Sequence, residues 1–253
     1  MAGRSRAAAA AEAHYRRISQ LAEMREGELA EALSAAPAAW IESAARYGVA
    51  EAQVSLGQLL LDGDGVARDP AAALAWFERA AAQNSAEAMN MAGRCLENGW
   101  GREVDLPAAA AWYRRAAEAG LDWAQYNYAN LLFDGRGAAP DRAEACGWYA
   151  KAAAQGHARA MNLLARCCEE GWGVARDPAA ASDWYRRSAA AGYFRAQYNR
   201  ATLLAADGRV SDAVAWFELA LAGAPADARA AMAEALARHP APRIAALARP
   251  VVA

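Results

Sequence analysis

Tryptophans stand at Trp40, Trp76, Trp112, Trp148 and Trp184, each 36 residues after the last, and Trp216 follows after 32. A fixed period of this size marks a repeat array: each unit is too small to bury its own apolar face and stacks on its neighbours to complete a core. Length alone therefore does not set a domain count for this 253-residue chain. The tryptophan register opens repeats at Ala50, Ala86, Asp122, Ala158 and Phe194, giving units 50–85, 86–121, 122–157, 158–193 and 194–225. Residues 1–49, with a half repeat around Trp40, are expected to cap one end. A helical segment from Ala226 to Arg238, within residues 226–253, is expected to cap the other, with a loosely packed tail after Pro240.

Within each repeat the third residue is Ala52, Ala88, Ala124, Ala160 or Ala196, and the eighth is Gly57, Gly93, Ala129, Ala165 or Ala201. The eleventh is Leu60, Leu96, Leu132, Cys168 or Leu204. Positions 3, 7, 8 and 11 form one face of a helix at 3.6 residues per turn, and their small members let a second helix approach closely. Paired glycines follow at Gly63/Gly65, Gly99/Gly101, Gly135/Gly137 and Gly171/Gly173, as a chain reversal through positive φ requires. Asp69, Asp105, Asp141 and Asp177 then occupy the N-cap of a second helix, with Pro70 and Pro178 at its first position. That helix carries the tryptophan, with small residues four and five places on, as in Ala80/Ala81 and Ala116/Ala117. The tryptophan is thus expected to be the core wedge, and Trp112→Ala to cost about 3–5 kcal/mol. The fifth repeat lacks four residues in its turn, which should shorten one loop without ending the array.

These residues resemble the Sel-one-like repeat family, relatives of the tetratricopeptide repeats. In the first full repeat the resemblance runs through Ala52, Leu56-Gly57, Gly63, Gly65-Val66, Asp69, Trp76-Phe77 and Ala80-Ala81, and along the chain it covers about residues 38–225. Leu stands where the family has Tyr at position 11. The resemblance implies an all-α fold, a right-handed α/α superhelical solenoid of helix-turn-helix repeats whose first helices line the concave side. It also implies adaptor roles in protein complexes and, in bacteria, company with iron-uptake or envelope-stress genes.

The net charge of −2, with signs interspersed, offers no basic stripe to a phosphate backbone, which argues against nucleic acid. No apolar run approaches the roughly 18 residues a membrane span needs, and Ala7–Ala11 is too short for a secretory core. A cytoplasmic protein is expected. Cys95, Cys146, Cys167 and Cys168 lack CxxC spacing and are expected to be reduced. His14, His157 and His239 are scattered and read as surface or capping residues, so neither metal nor cofactor is expected. None of the glycine turns ends in the Lys-Ser/Thr of a phosphate loop, and no serine sits in a nucleophile elbow. The chain is read as no enzyme.

Function must then reside in the residues the repeat leaves variable. Positions 2, 5, 9 and 12 of the first helix point away from the expected packed face. Asn90, Arg94 and Glu97 recur 72 residues later as Asn162, Arg166 and Glu169, and Tyr126 recurs as Tyr198 within matching AQYN segments. The second and fourth repeats agree at 20 of 36 positions, including GWG turns with Trp100 and Trp172. Shared ancestry accounts for this, but the same residues also form a candidate ladder, Asn90, Tyr126, Asn162 and Tyr198, flanked by Arg94, Asn130 and Arg166. Amides, guanidinium forks and rigid phenols suit an extended peptide. Arg94 with Glu97, and Arg166 with Glu169, are alternatively spaced to pair with each other. Trp100 and Trp172 are either partner anchors or covers over the next repeat. The expected function is a non-catalytic scaffold for a protein or peptide, of open oligomeric state; the alternative is a small-ligand sensor or carrier.

Overall fold

The computed structural model describes Leu33 and residues 36–248; most of the expected amino-terminal cap, residues 1–32, lies outside the described residues. Among the described residues there are thirteen α-helices, one short 3-10 helix and no strand. The chain divides into two compact units, residues 1–121 and 122–253. The first holds α1 (Ala38–Arg46), α2 (Ala50–Asp62), α3 (Pro70–Ala81), α4 (Ala86–Asn98) and α5 (Leu106–Glu118). The second holds α6 (Asp122–Asp134), α7 (Arg142–Ala154), α8 (Ala158–Glu170), α9 (Pro178–Ala190), α10 (Phe194–Ala206), α11 (Val210–Gly223), α12 (Ala226–Ala237) and α13 (Pro242–Ala245). Five first helices, α2, α4, α6, α8 and α10, each pair with the helix that follows.

The turn chemistry is local and explicit. The side chains of Asp69, Asp105, Asp141 and Asp177 accept from the N–H of the residue three places on, at 3.0, 3.0, 2.8 and 2.9 Å. Gly63, Gly99 and Gly171 close the preceding helices in the left-handed conformation. Two of the partner glycines do more than turn. A Cβ on Gly101 would lie 2.3 Å from the carbonyl oxygen of Pro70, and one on Gly173 2.2 Å from that of Arg142. Each GWG turn is therefore seated on the start of the preceding second helix. The loop between α10 and α11 has shrunk to Asp207–Arg209, yet α11 still packs along α10.

The core corrects the role expected of the tryptophans. Phe77, Tyr113, Tyr149, Tyr185 and Phe217, each one residue after a tryptophan, are the rings that are buried. The residues at position 3 are fully buried, and the rings meet the small residue at position 8: a Cβ on Gly57 would lie 2.6 Å from the Phe77 ring, and one on Gly93 2.8 Å from Tyr113. Ala80 and Ala81 lie three and four residues beyond Phe77, so they share its face at least as well as that of Trp76. The tryptophans stay half-buried at the rim, and four of them lie under the cation three residues on: Arg79 over Trp76 at 4.5 Å, Arg115 over Trp112 at 4.5 Å, Lys151 over Trp148 at 3.6 Å and Arg187 over Trp184 at 4.2 Å. Such a contact contributes about 0.5–1 kcal/mol at an exposed site.

The tail is also unlike its expectation. Ile244 is fully buried with Leu236, Phe217, Ala213, Leu204 and Ala201, and the 3-10 helix Ala246–Ala248 packs on α12. The residues after Pro240 close the apolar end that α10 and α11 would otherwise expose, with Ile244 buried in the cluster and Leu247 packed against it.

Two stability experiments follow. Thermal or urea unfolding is expected to rank Tyr113→Ala, at about 3–5 kcal/mol, well above Trp112→Ala, at about 1–2 kcal/mol, with Gly93→Ala between them through overpacking. Ile244→Ala is expected to cost about 2–5 kcal/mol; an unchanged urea midpoint would show that the carboxy-terminal segment is not part of the core.

Candidate functional site

The first helices are not one-faced. In the second unit, Asn162 on α8 is only 4% exposed, and its Oδ1 accepts from the Nδ2 of Asn199 on α10 at 3.0 Å. Asn90, at the same position of α4, is 8% exposed. Position 5 thus lies in the seam where a first helix is flanked by its neighbours, and the expected ladder is not a free wall. Its two tyrosines are half-buried as well: Tyr198 sits edge-on to Phe217 at 5.1 Å, and Tyr126 stacks on His157 at 4.9 Å.

Three further candidates serve the buried rings. The hydroxyl of Tyr113 donates to Glu97 at 2.8 Å, that of Tyr185 to Glu169 at 2.7 Å, and that of Tyr149 to Asn130 at 2.7 Å. Burial, and in two cases the adjacent carboxylate, pushes all three phenols above their ordinary range, so they remain donors. Where the ring is Phe, the corresponding position 12 carries Leu61 or Ala205. The recurring Glu therefore answers to the recurring Tyr, not to Arg94 or Arg166.

Those two arginines are exposed, and each guanidinium faces an indole of its own repeat: Arg94 lies over Trp100 at 5.4 Å and Arg166 over Trp172 at 5.0 Å. Trp172 also meets Phe133 at 5.5 Å and Arg142 at 5.9 Å, both from the preceding repeat. Half-buried Trp172 thus packs back onto the preceding repeat, while half-buried Trp100 lies under Arg94. The Trp172 turn is held from beneath as well. Cys146 donates to the Trp172 carbonyl at 2.9 Å. Burial raises the thiols of Cys146 and Cys167 above the usual cysteine range, which suits a packing role rather than a nucleophilic one. Among the described residues no three His, Cys, Asp or Glu side chains gather as a metal cluster, and no helix is long and apolar enough to cross a membrane.

The solvent-facing strip of each first helix runs instead through positions 2, 9 and 13, seven and eleven residues apart on one helical face. In the first unit this strip carries Glu87, Gln58, Arg94, Asp62 and Asn98; in the second it carries Trp123, Arg159, Arg195, Arg166, Thr202, Asp134 and Glu170. At its amino-terminal row in the second unit the side chains cluster. Trp123 meets His157 edge-on at 4.5 Å and lies under Arg159 at 5.4 Å, while Arg195 lies over Phe194 at 5.7 Å and Phe194 meets Tyr193 at 5.4 Å. His157 caps α8, accepting from the Ala160 N–H at 3.1 Å. Sequence reasoning included position 2 but passed over Trp123, Arg159 and Arg195, because it sought residues that recur and these differ from repeat to repeat.

The comparisons agree with this architecture. The family model described as Sel1 repeat matches residues 50–85, 86–121, 124–157 and 158–193. Among solved structures, the chain is similar to c5321, a protective antigen of uropathogenic Escherichia coli strains with an SLR fold, at 26% identity and a TM-score of 0.68 over 83% of this chain. It spans only 45% of that protein's length. A Sel1 repeat protein from Oxalobacter formigenes matches at 29% identity and a TM-score of 0.66, covering 72% of this chain and 75% of that one. The immunity protein Pa5087 from Pseudomonas aeruginosa shares the fold at 17% identity and a TM-score of 0.51, covering 78% of this chain and 74% of its own. No curated protein matches at a significant level. With four matched repeats spanning more than half of its length, and with the helix pairs, paired-glycine turns and buried rings described above, the chain belongs to the Sel1 repeat family, an α/α solenoid family whose members generally mediate protein–protein interaction.

Proposed function

We propose that the protein is a non-catalytic, cytoplasmic scaffold that holds a partner protein or peptide on the solvent-facing strip of its first helices, the concave side in the architecture of its family. The observation that carries this reading is the set of four exposed arginines on the strip itself. On the second helices Arg114 pairs with Glu118 at 2.9 Å and Arg186 pairs with Asp183, while Arg79, Arg115, Lys151 and Arg187 lie over tryptophans. On the first helices Arg94, Arg159, Arg166 and Arg195 are exposed and have no carboxylate partner among the described residues. Guanidiniums held over aromatic rings, with their donors still open, are the kind of pre-ordered group that anchors interfaces.

Affinity capture from a lysate of the source cells tests the reading. Arg94→Glu with Arg166→Glu is expected to lose at least one partner that wild type retains, while Arg79→Ala with Arg115→Ala on the second helices keeps it. Retention of every partner by the first-helix variant, with its circular dichroism unchanged, would remove the strip from consideration.

A further inference from the structure

We propose that the cluster at the start of α6, α8 and α10 recognises an acidic segment of a partner protein, with carboxylates for Arg159 and Arg195 beside an aromatic or aliphatic side chain for Trp123. This names the partner chemistry of the scaffold reading and rests on it.

Three observations meet at this place. Trp123 is 46% exposed, whereas the other described tryptophans are half-buried at repeat rims or turns, so a large apolar face stands open at the strip. Arg159 sits over the Trp123 ring and Arg195 over that of Phe194, which in turn meets Tyr193, so both guanidiniums lie on rings rather than on carboxylates. Beneath it lies a polar atom with no partner. The Nδ1 of His157 accepts from the Ala160 N–H, so the neutral ring carries its proton on Nε2, and that buried atom has no hydrogen-bond partner although the residue is only 6% exposed. Burial first, and then Arg159, holds the imidazole below its ordinary pKa, so it stays a neutral donor at physiological pH. Leaving such a donor unsatisfied is costly, so the row around His157 and Trp123 holds a hydrogen-bonding need that the chain itself does not meet.

The charge pattern selects an anion. The carboxylate acting on His157 is Asp122, whose Oδ1 accepts from the Trp123 N–H at 2.7 Å, and neither Arg159 nor Arg195 has a carboxylate partner among the described residues. Two cations beside an open aromatic face suit carboxylates carried next to an apolar residue. They are too few for a phosphate backbone, and the chain as a whole carries a net charge of −2.

Panning a random dodecapeptide display library on the full-length protein tests the proposal. Wild type is expected to enrich acidic peptides that contain an aromatic or aliphatic residue, and a synthetic copy of the leading peptide, followed by fluorescence anisotropy, should bind Arg159→Glu/Arg195→Glu at least about tenfold more weakly, one lost charge-assisted contact being sufficient for that factor. Trp123→Ala should weaken it comparably, and Arg115→Glu should leave it unchanged. Both affected sites are solvent-facing, and an unaltered melting curve establishes that the fold is intact. Enrichment of neutral or basic peptides, or equal binding of the acidic peptide by the charge-reversed protein, overturns this proposal and leaves the scaffold reading standing. Enrichment of no peptide at all overturns both. Tighter binding to oligo(dT), or to vesicles of phosphatidylglycerol, abolished by the same charge reversal, also overturns it.

Discussion

The joint between each pair of helices is an aromatic ring set against a residue with little or no side chain. Phe77 lies on Gly57 and Tyr113 on Gly93, so closely that a methyl group would not fit without displacement. Fully buried alanines at position 3 of the first helix and Ala80/Ala81 or Ala116/Ala117 on the second let the backbones close around that ring. Close packing of this kind explains how a chain rich in alanine and poor in branched aliphatics sustains a continuous core within each unit. It also explains why the turn must be tight: Gly101 and Gly173 approach a carbonyl oxygen of the preceding second helix more closely than any Cβ allows.

A buried phenol brings a hydroxyl that has to be satisfied. Glu97, Glu169 and Asn130 do this, which withdraws them from the solvent-facing strip. Asn162 is withdrawn by its bond to Asn199. What remains for recognition is what the packing does not consume: exposed guanidiniums at positions 2 and 9, and the open face of Trp123. The division of labour between scaffold and surface thus follows hydrogen-bond accounting as much as hydrophobicity.

The tryptophan period, the glycine pairs and the aspartate caps made the repeat, its helices and its turns legible, because each of those features acts within a few residues of itself. The residue one place after each tryptophan was misjudged for a local reason too: the small residues that mark the packed face lie four and five places from the tryptophan but three and four from its neighbour, and helical geometry accommodates both readings. The ladder of Asn and Tyr failed for a different reason. A helical wheel assigns a helix one buried face, whereas a first helix in a stack has neighbours on both flanks, so position 5 falls in a seam. The tail was misread because Ile244 carries no periodic signal, and only the unfilled apolar end formed by α10, α11 and α12 gives it a place.

By itself, then, the sequence determined the all-helical repeat, the 36-residue register, the turn chemistry and the family to which the chain belongs, since propensities, caps and positive-φ glycines are read from near neighbours in the chain. Only the tertiary structure decided which of two adjacent aromatic residues enters the core, which recurring polar residues are spent on buried hydroxyls and amides, and which few side chains, Trp123, Arg159 and Arg195 among them, are left facing solvent. Those outcomes depend on packing between helices, within a repeat for the buried rings and the Glu or Asn that satisfies a hydroxyl 16 to 19 residues away, and between neighbouring repeats for Asn162 and Asn199, 37 residues apart, where one side chain's burial is set by the shape and hydrogen-bonding needs of another.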